Sequence, residues 1–222
     1  MKVELIEYFG GDNMVVDAAR VSFNKKSDSY TGMANERLIE FLCKNKHTSP
    51  FRHPQLQFRI TCPIYVERQL FKHQVGMSAN SISGRYVDFR DTYTRVKLWR
   101  KQSTDSKQGS EGEIKYQETA NLIEHGVIDF CKKAYSDLLS LGVSKEQART
   151  VLPLNLNTTF IWTGSFLSFS HLFNLRLKPD AQAETREVAA LMFDCVRKIE
   201  GEPFRLSLRH LVTNNFAPTQ PF

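Results

Sequence analysis

A chain of 222 residues, 41% hydrophobic and 24% charged, can bury a sizeable core, and it has no apolar run near the ~20 residues a membrane helix needs. Its net charge of +6 comes from Lys and Arg interspersed with Asp and Glu, without a basic block, which fits an anionic substrate at least as well as nucleic acid. Cys43, Cys62, Cys131 and Cys195 lie far apart with no Cys-x-x-Cys, so neither a zinc site nor a disulfide framework is indicated.

Residues 1–7 set Val3 and Leu5 against Lys2 and Glu4, the alternation of a first strand. Glu4 and Glu7 interrupt any signal-peptide core, so the chain reads as cytoplasmic. Residues 33–46 place Leu38, Ile39, Phe41 and Leu42 at helical spacing. The segment His47-Thr48-Ser49-Pro50-Phe51-Arg52-His53 follows. With no acidic residue at ligand spacing, its histidines read as solvated loop residues rather than metal ligands. Residues 55–62 then alternate strictly. Leu56, Phe58, Ile60 and Cys62 point one way and Gln55, Gln57, Arg59 and Thr61 the other, a half-buried strand.

Pro63 stands where a helix starts, at the position that tolerates a missing N–H. At about 100° per residue, a helix over 63–73 gathers Tyr65, Arg68, Gln69, Lys72 and His73 on one arc. Ile64, Val66, Leu70 and Phe71 share the other arc, with Glu67 an intruder among them. The helix end runs into a small-residue loop closed by Ser83, Gly84 and Arg85. Cations, amides and backbone N–H groups converging there suit a phosphorylated ligand. An ordinary solvated helix face fits the same polar arc.

Residues 101–112 are polar and Gly/Ser-rich and read as a mobile surface loop. Residues 113–141 form a long amphipathic helix through Leu122, Ile123, Val127, Phe130, Tyr135, Leu138 and Leu139, stopped at Gly142. Ser144 and Gln147 make a capping box for a short helix that carries Arg149 and ends before Pro153. A helix over 165–177 carries Phe166, Leu167, Phe169, Leu172 and Phe173. It ends near Arg176, which needs a partner such as Glu184 or Glu187, because an unpaired buried charge is costly. Asp180 caps a last long helix with Val188, Leu191, Met192, Cys195 and Ile199 inward, ended by Gly201. Cys62 and Cys195 fall on apolar faces, where a thiol is inert packing. Helix dominates a small sheet, so the class is α+β, a single domain over 1–222.

Four of these constellations, in this order, resemble the flavin-dependent thymidylate synthases. The signature of that family is Arg-His-Arg, seven residues, then Ser, usually within Gln-x-x-Arg-His-Arg and followed by Gly/Arg-Arg-Tyr. Here it is matched by Gln69, Lys72-His73-Gln74, Ser83 and Gly84-Arg85-Tyr86. The family's His-x-Ser/Thr-Pro-Phe-x-His appears at 47–53, and Ala-Arg-x-Val-Leu-Pro at 148–153. Leu-Arg followed by Ala-Gln-x-Glu and Arg spans 175–186. The chain departs from the pattern at Lys72 and Gln74, in the eight residues between Gln74 and Ser83, and at Ser81, where an acid is common. It departs again at Ser165-Phe166-Leu167, where the family carries Asn-x-Arg.

The resemblance implies a helix-rich α+β fold with a small, mostly antiparallel sheet, and the methylation of dUMP to dTMP. Methylenetetrahydrofolate would supply the carbon, NADPH the reducing equivalents, and FAD would carry the hydride. By carry-over, dUMP would be held by Gln69, Leu70, Phe71, Lys72, Ser81, Ile82, Ser83, Gly84, Arg85 and Arg149. FAD would be held by His47, Ser49, Lys72, His73, Gln74, Ser81, Ser165 and His171, and no metal is implied. Arg176 would face the uracil ring, favour the base ionised at N3, and so activate C5 without a cysteine nucleophile. The family pattern also implies a homotetramer with shared active sites, in the host cytoplasm if the source is viral. Two rival readings stand beside this one. A basic nucleic-acid-binding protein would suit the pI near 9.1 and sixteen phenylalanines, although no recognised binding motif is present. A nucleotide-binding flavoprotein that no longer methylates would suit the departures.

Overall fold

The computed structural model describes residues 1–88, 92–104 and 109–212. Its elements in chain order begin with β1 Lys2–Phe9, α1 Asp12–Arg20, α2 Gly32–Lys44, β2 Gln55–Pro63, α3 Ile64–Leu70 and β3 Met77–Ser81. They continue with β4 Arg100–Gln102, β5 Ser110–Glu113, α4 Gln117–Ser140, α5 Lys145–Ala148, β6 Asn157–Ser165, α6 Phe166–Arg176, α7 Ala183–Arg197 and α8 Arg205–Leu211. The helix-rich α+β class holds. Four strands form one sheet in the order β1-β2-β6-β3. Gln57 meets Thr163 at 2.8 Å and Thr61 meets Thr159 at 2.9 Å, so β2 and β6 run antiparallel with their polar faces matched.

The chain folds as two compact units, one of Met1, residues 61–70 and 81–160, the other of residues 2–60, 71–80 and 161–222. In the second, Leu56, Phe58 and Ile60 of β2 are fully buried, as their alternation predicts. They meet an aromatic core in which Phe169 sits edge-on to Phe58 (5.1 Å between centroids) and to Trp162 (5.6 Å). Ser165 caps α6 by accepting the Ser168 N–H. Helix α7 packs on β1 and buries Val188, Ala189, Met192 and Val196. Leu191 is exposed, Cys195 and Ile199 are half-buried, and the N-cap is Gln182 rather than Asp180. Two helices absent from the sequence reading complete this unit. Asp12 of α1 accepts the N–H groups of Leu206 (2.7 Å) and Ser207 (2.9 Å), holding the first turn of α8. Burial raises the Asp12 carboxyl above the usual range, and these bonds act against that rise.

In the first unit, α3 begins after Pro63, which closes β2 instead of opening the helix. The leading N–H groups of Ile64 and Tyr65 donate to the carbonyls of Leu156 and Leu154. Residues expected to form one loop at 101–112 instead pair partly as the β4–β5 ribbon, and 105–108 lie outside the described residues. This pairing delays the start of α4 to Gln117, whose amide bonds the Trp99 backbone at both its N–H (2.9 Å) and its carbonyl (2.7 Å). Helix α4 ends as expected at Gly142, with φ +83°. Its inward face is only partly the expected one: Tyr135 is buried and Leu138 and Leu139 half-buried as predicted. Ile128 is buried too, while Leu122, Ile123, Val127 and Phe130 are 71%, 64%, 49% and 74% exposed. Ser144 begins α5 through its carbonyl, which accepts from Gln147 and Ala148, and the expected side-chain capping box does not form.

Candidate active site

In the first unit the side chains of α3, the loop after β3 and the turn after α5 converge. A cavity of about 270 Å³ is lined by Glu67, Ser81, Ile82, Gly84, Arg149 and Asn157, among others. Ser81 donates to Glu67 Oε1 at 3.0 Å. The loop is pinned at its start by the Ile82 N–H on the Thr159 carbonyl (2.8 Å). It then tightens on Ser83, whose hydroxyl accepts from Arg85 N–H (3.3 Å) and whose carbonyl accepts from Tyr86 and Val87. Four loop N–H groups are therefore committed within the chain, and those of Ser83 and Gly84 meet no acceptor among the described residues. Arg149 sits on the turn that follows α5 and donates its Nε to the Glu146 carbonyl (3.2 Å), and among the described residues its Nη groups meet no acceptor. Burial raises the Glu67 carboxyl above the usual range, with the Ser81 bond and the Arg68 charge pulling the other way.

The second unit carries the other predicted group. Lys72 and His73, expected on the end of a helix, lie beyond it together with Gln74, because α3 stops at Leu70 and the chain turns back through Gly76 to enter β3. Gly76 has φ +71°, and a Cβ there would come within 2.6 Å of Ser168 Oγ. Its carbonyl accepts from the Ser165 N–H (3.3 Å), so the turn lies flush against the start of α6. Ser165 Oγ in turn sits 2.7 Å from Ser168 Oγ, buried. The hydroxyl of Ser165, a predicted FAD contact, is thus already engaged within the chain. At the far end of α6, Arg176 Nε donates to His73 Nε2 at 3.0 Å. The imidazole accepts that bond through a bare nitrogen and is therefore neutral. Burial, with the charges of Arg176 and His171, holds His73 down at about 4. Lys72, Gln74, His47, Ser49 and His171 are exposed in this unit.

Of the two predicted dUMP contacts on this stretch, Leu70 is fully buried, and half-buried Phe71 lies 5.9 Å from Trp162 with the rings tilted at 56°. Burial pushes the Cys62 thiol up to about 12 and Cys43 up to about 11, and it raises Cys195. Among the described residues no His/Cys/Asp/Glu group could hold a metal. Sequence reasoning leaves Glu67 without a role; its one signal is a charge on an apolar arc. It also misses a larger cavity, about 980 Å³, lined in the second unit by Gly11, Asp12, His53, Glu202 and Arg205.

The family model described as thymidylate synthase complementing protein matches residues 4–200. A flavin-dependent thymidylate synthase of Thermus thermophilus is 38% identical over 196 residues, covering 88% of this chain and 71% of its own length. The chain belongs to the flavin-dependent thymidylate synthase family. The Thermosipho melanesiensis member is 36% identical over 189 residues, covering 84% of this chain and 81% of its own. Among solved structures, the UMP/dUMP methylase PolB of Streptomyces cacaoi bound with 5-Br dUMP superposes with a TM-score of 0.83. It is 26% identical and covers 94% of this chain and 93% of its own. The fold expected of a flavin-dependent thymidylate synthase is therefore present over nearly the whole chain. Among the described residues, no helix is long and apolar enough to cross a membrane.

Proposed function

We propose that this thymidylate synthase family member methylates dUMP to dTMP, taking carbon from methylenetetrahydrofolate and reducing equivalents from NADPH. The observation that carries the reading is the convergence of the motif residues. Ser81, Ile82, Gly84 and Arg149 share one cavity, and His73 and Arg176 share one hydrogen bond. The nucleotide bound to the Streptomyces cacaoi methylase supports a pyrimidine nucleotide as substrate.

The donor set fits FAD. Exposed Lys72, Gln74, His47, Ser49 and His171 can reach a ligand, and a lysine suits a diphosphate. The close fit of Gly76 on α6 holds the turn that carries the first two, and Ser165 serves the flavin by bracing that turn. FAD, when bound, carries hydride from NADPH to the transferred carbon.

The chain's own residues bind and polarise the substrate. Arg149 and Arg85, with the Ser83 and Gly84 N–H groups, take the phosphate; Gln69 and Lys72 complete the nucleotide's contacts. Arg176 faces the uracil, and its guanidinium favours loss of the N3 proton. Electron density then moves to C5, which forms the bond to the one-carbon unit. His73 accepts from Arg176 Nε and fixes the plane of the guanidinium, which a charged imidazole could not do. A homotetrameric assembly belongs to this reading, and the exposed apolar face of α4 supports it.

The test is dTMP formation from dUMP by the FAD-loaded protein with methylenetetrahydrofolate and NADPH. Formation of dTMP that stops when any one of the three is left out is the expected result. Flavin bound, dUMP bound and no dTMP would refute methylation.

A further inference from the structure

Among the described residues lining the cavity that holds Ser81 and Arg149, Glu67 is the one carboxylate, and neither the helix nor the core explains it. The helical pattern puts an apolar residue at this position, and burial works against the ionised side chain. A carboxylate kept there against its desolvation cost has a task other than packing. It does not neutralise Arg149, whose bond goes to the Glu146 carbonyl. Instead Ser81 binds Oε1 and fixes the carboxylate's orientation, and Oε2 meets no donor among the described residues.

The loop Ser81-Ile82-Ser83-Gly84-Arg85 contains no acid, so the anionic acceptor of this cavity arrives from α3. The cavity thus offers one cation and one anion that do not pair with each other. A nucleoside monophosphate presents the complement, a phosphate and a hydroxyl. With dUMP as the substrate proposed above, its donors are the N3–H, whose proton is lost under the influence of Arg176 in that reading, and the 3′-hydroxyl. We propose that Glu67, oriented by Ser81, accepts the 3′-hydroxyl of the deoxyribose and is a substrate-binding residue of this chain. The proposal rests on the dUMP reading.

The experiment compares dUMP with 2′,3′-dideoxyuridine 5′-monophosphate, which lacks only that hydroxyl, by calorimetric titration of the FAD-loaded protein. Wild type is expected to bind dUMP roughly 10- to 100-fold more tightly than the dideoxy nucleotide, the range of a charge-assisted bond. Glu67→Ala is expected to bind both with the same weak affinity. Glu67→Gln, which keeps the shape and loses the charge, should lie between, and Ser81→Ala should lose part of the preference. In turnover, Glu67→Gln should raise KM for dUMP with kcat largely kept. An Ala or Gln variant that folds and keeps the full wild-type preference overturns the proposal, as does a wild type that binds both nucleotides equally. A protein that binds neither, or forms no dTMP, fails at the earlier step, the dUMP reading itself.

Discussion

Helices α6 and α4 are both rich in apolar residues and use them in opposite ways. Phe166, Leu167, Phe169, Leu172 and Phe173 of α6 are all buried within their own unit. Ile123, Val127 and Phe130 of α4, spaced to form one stripe, are left to solvent with Leu122 beside them. The first helix spends its hydrophobicity on holding Arg176 rigidly. The second keeps its own in reserve, and large side chains in a stripe are rarely left to water without a partner. Apolar periodicity therefore marks a face suited to burial without saying what covers it.

The largest effect is expected at the end of α6. Arg176→Ala should lower dTMP formation by about a thousandfold, in the range of lost transition-state charge stabilisation, with FAD still bound. Near-normal turnover in that variant would remove Arg176 from the mechanism. Next comes the core that carries it: Phe169→Ala should cost about 3–5 kcal/mol in urea unfolding, because it opens a cavity between Phe58 and Trp162. The same truncation at Phe130 should cost the folded chain less than about 0.5 kcal/mol. Equal losses at the two sites would erase the contrast between the helices.

A charge on the exposed stripe sharpens it further. Ile123→Glu with Phe130→Glu should shift light scattering from the proposed tetramer to smaller species, since an interface tolerates few unpaired charges. A double variant that is still tetrameric would place the assembly surface elsewhere. A smaller effect follows from His73. Its folded pKa, about 4, lies below that of a free imidazole near 6.5, so the unfolded chain takes up the proton first as pH falls. Stability present above about pH 6.5 should therefore decline towards pH 4. His73→Gln, which can still accept from Arg176, should flatten that decline in thermal melts. An unchanged slope would assign it to other groups.

How much is legible in the sequence follows the range of the interactions. Strand β2 is legible almost to the residue, because alternation is local and its buried face is completed by neighbours of the same chain. Helix α6 and the stop at Gly142 are legible for the same reason. Helices α1 and α8 are not: each buries two side chains, and their joint stability comes from Asp12 bonding Ser207, far along the chain. The end of α3 at Leu70 is likewise a tertiary decision, made where Gly76 meets Ser168 and the chain must return to pair in the sheet. The motifs name most of the polar residues around the candidate site. They cannot name Glu67, whose meaning appears only when Ser81 reaches it. Nor do they reveal that the Ser165 hydroxyl already meets Ser168 or that Leu70 is fully buried.

The most direct test of the whole account is the absorption spectrum of the FAD-loaded protein during a dUMP titration, with Arg149→Ala beside wild type. A dUMP-dependent change in the flavin bands is predicted for wild type, and the Arg149→Ala protein should need at least about tenfold more dUMP to reach it. Flavin bands indifferent to saturating dUMP, or an unchanged midpoint in the Arg149→Ala protein, would contradict a nucleotide held by these cations against the cofactor.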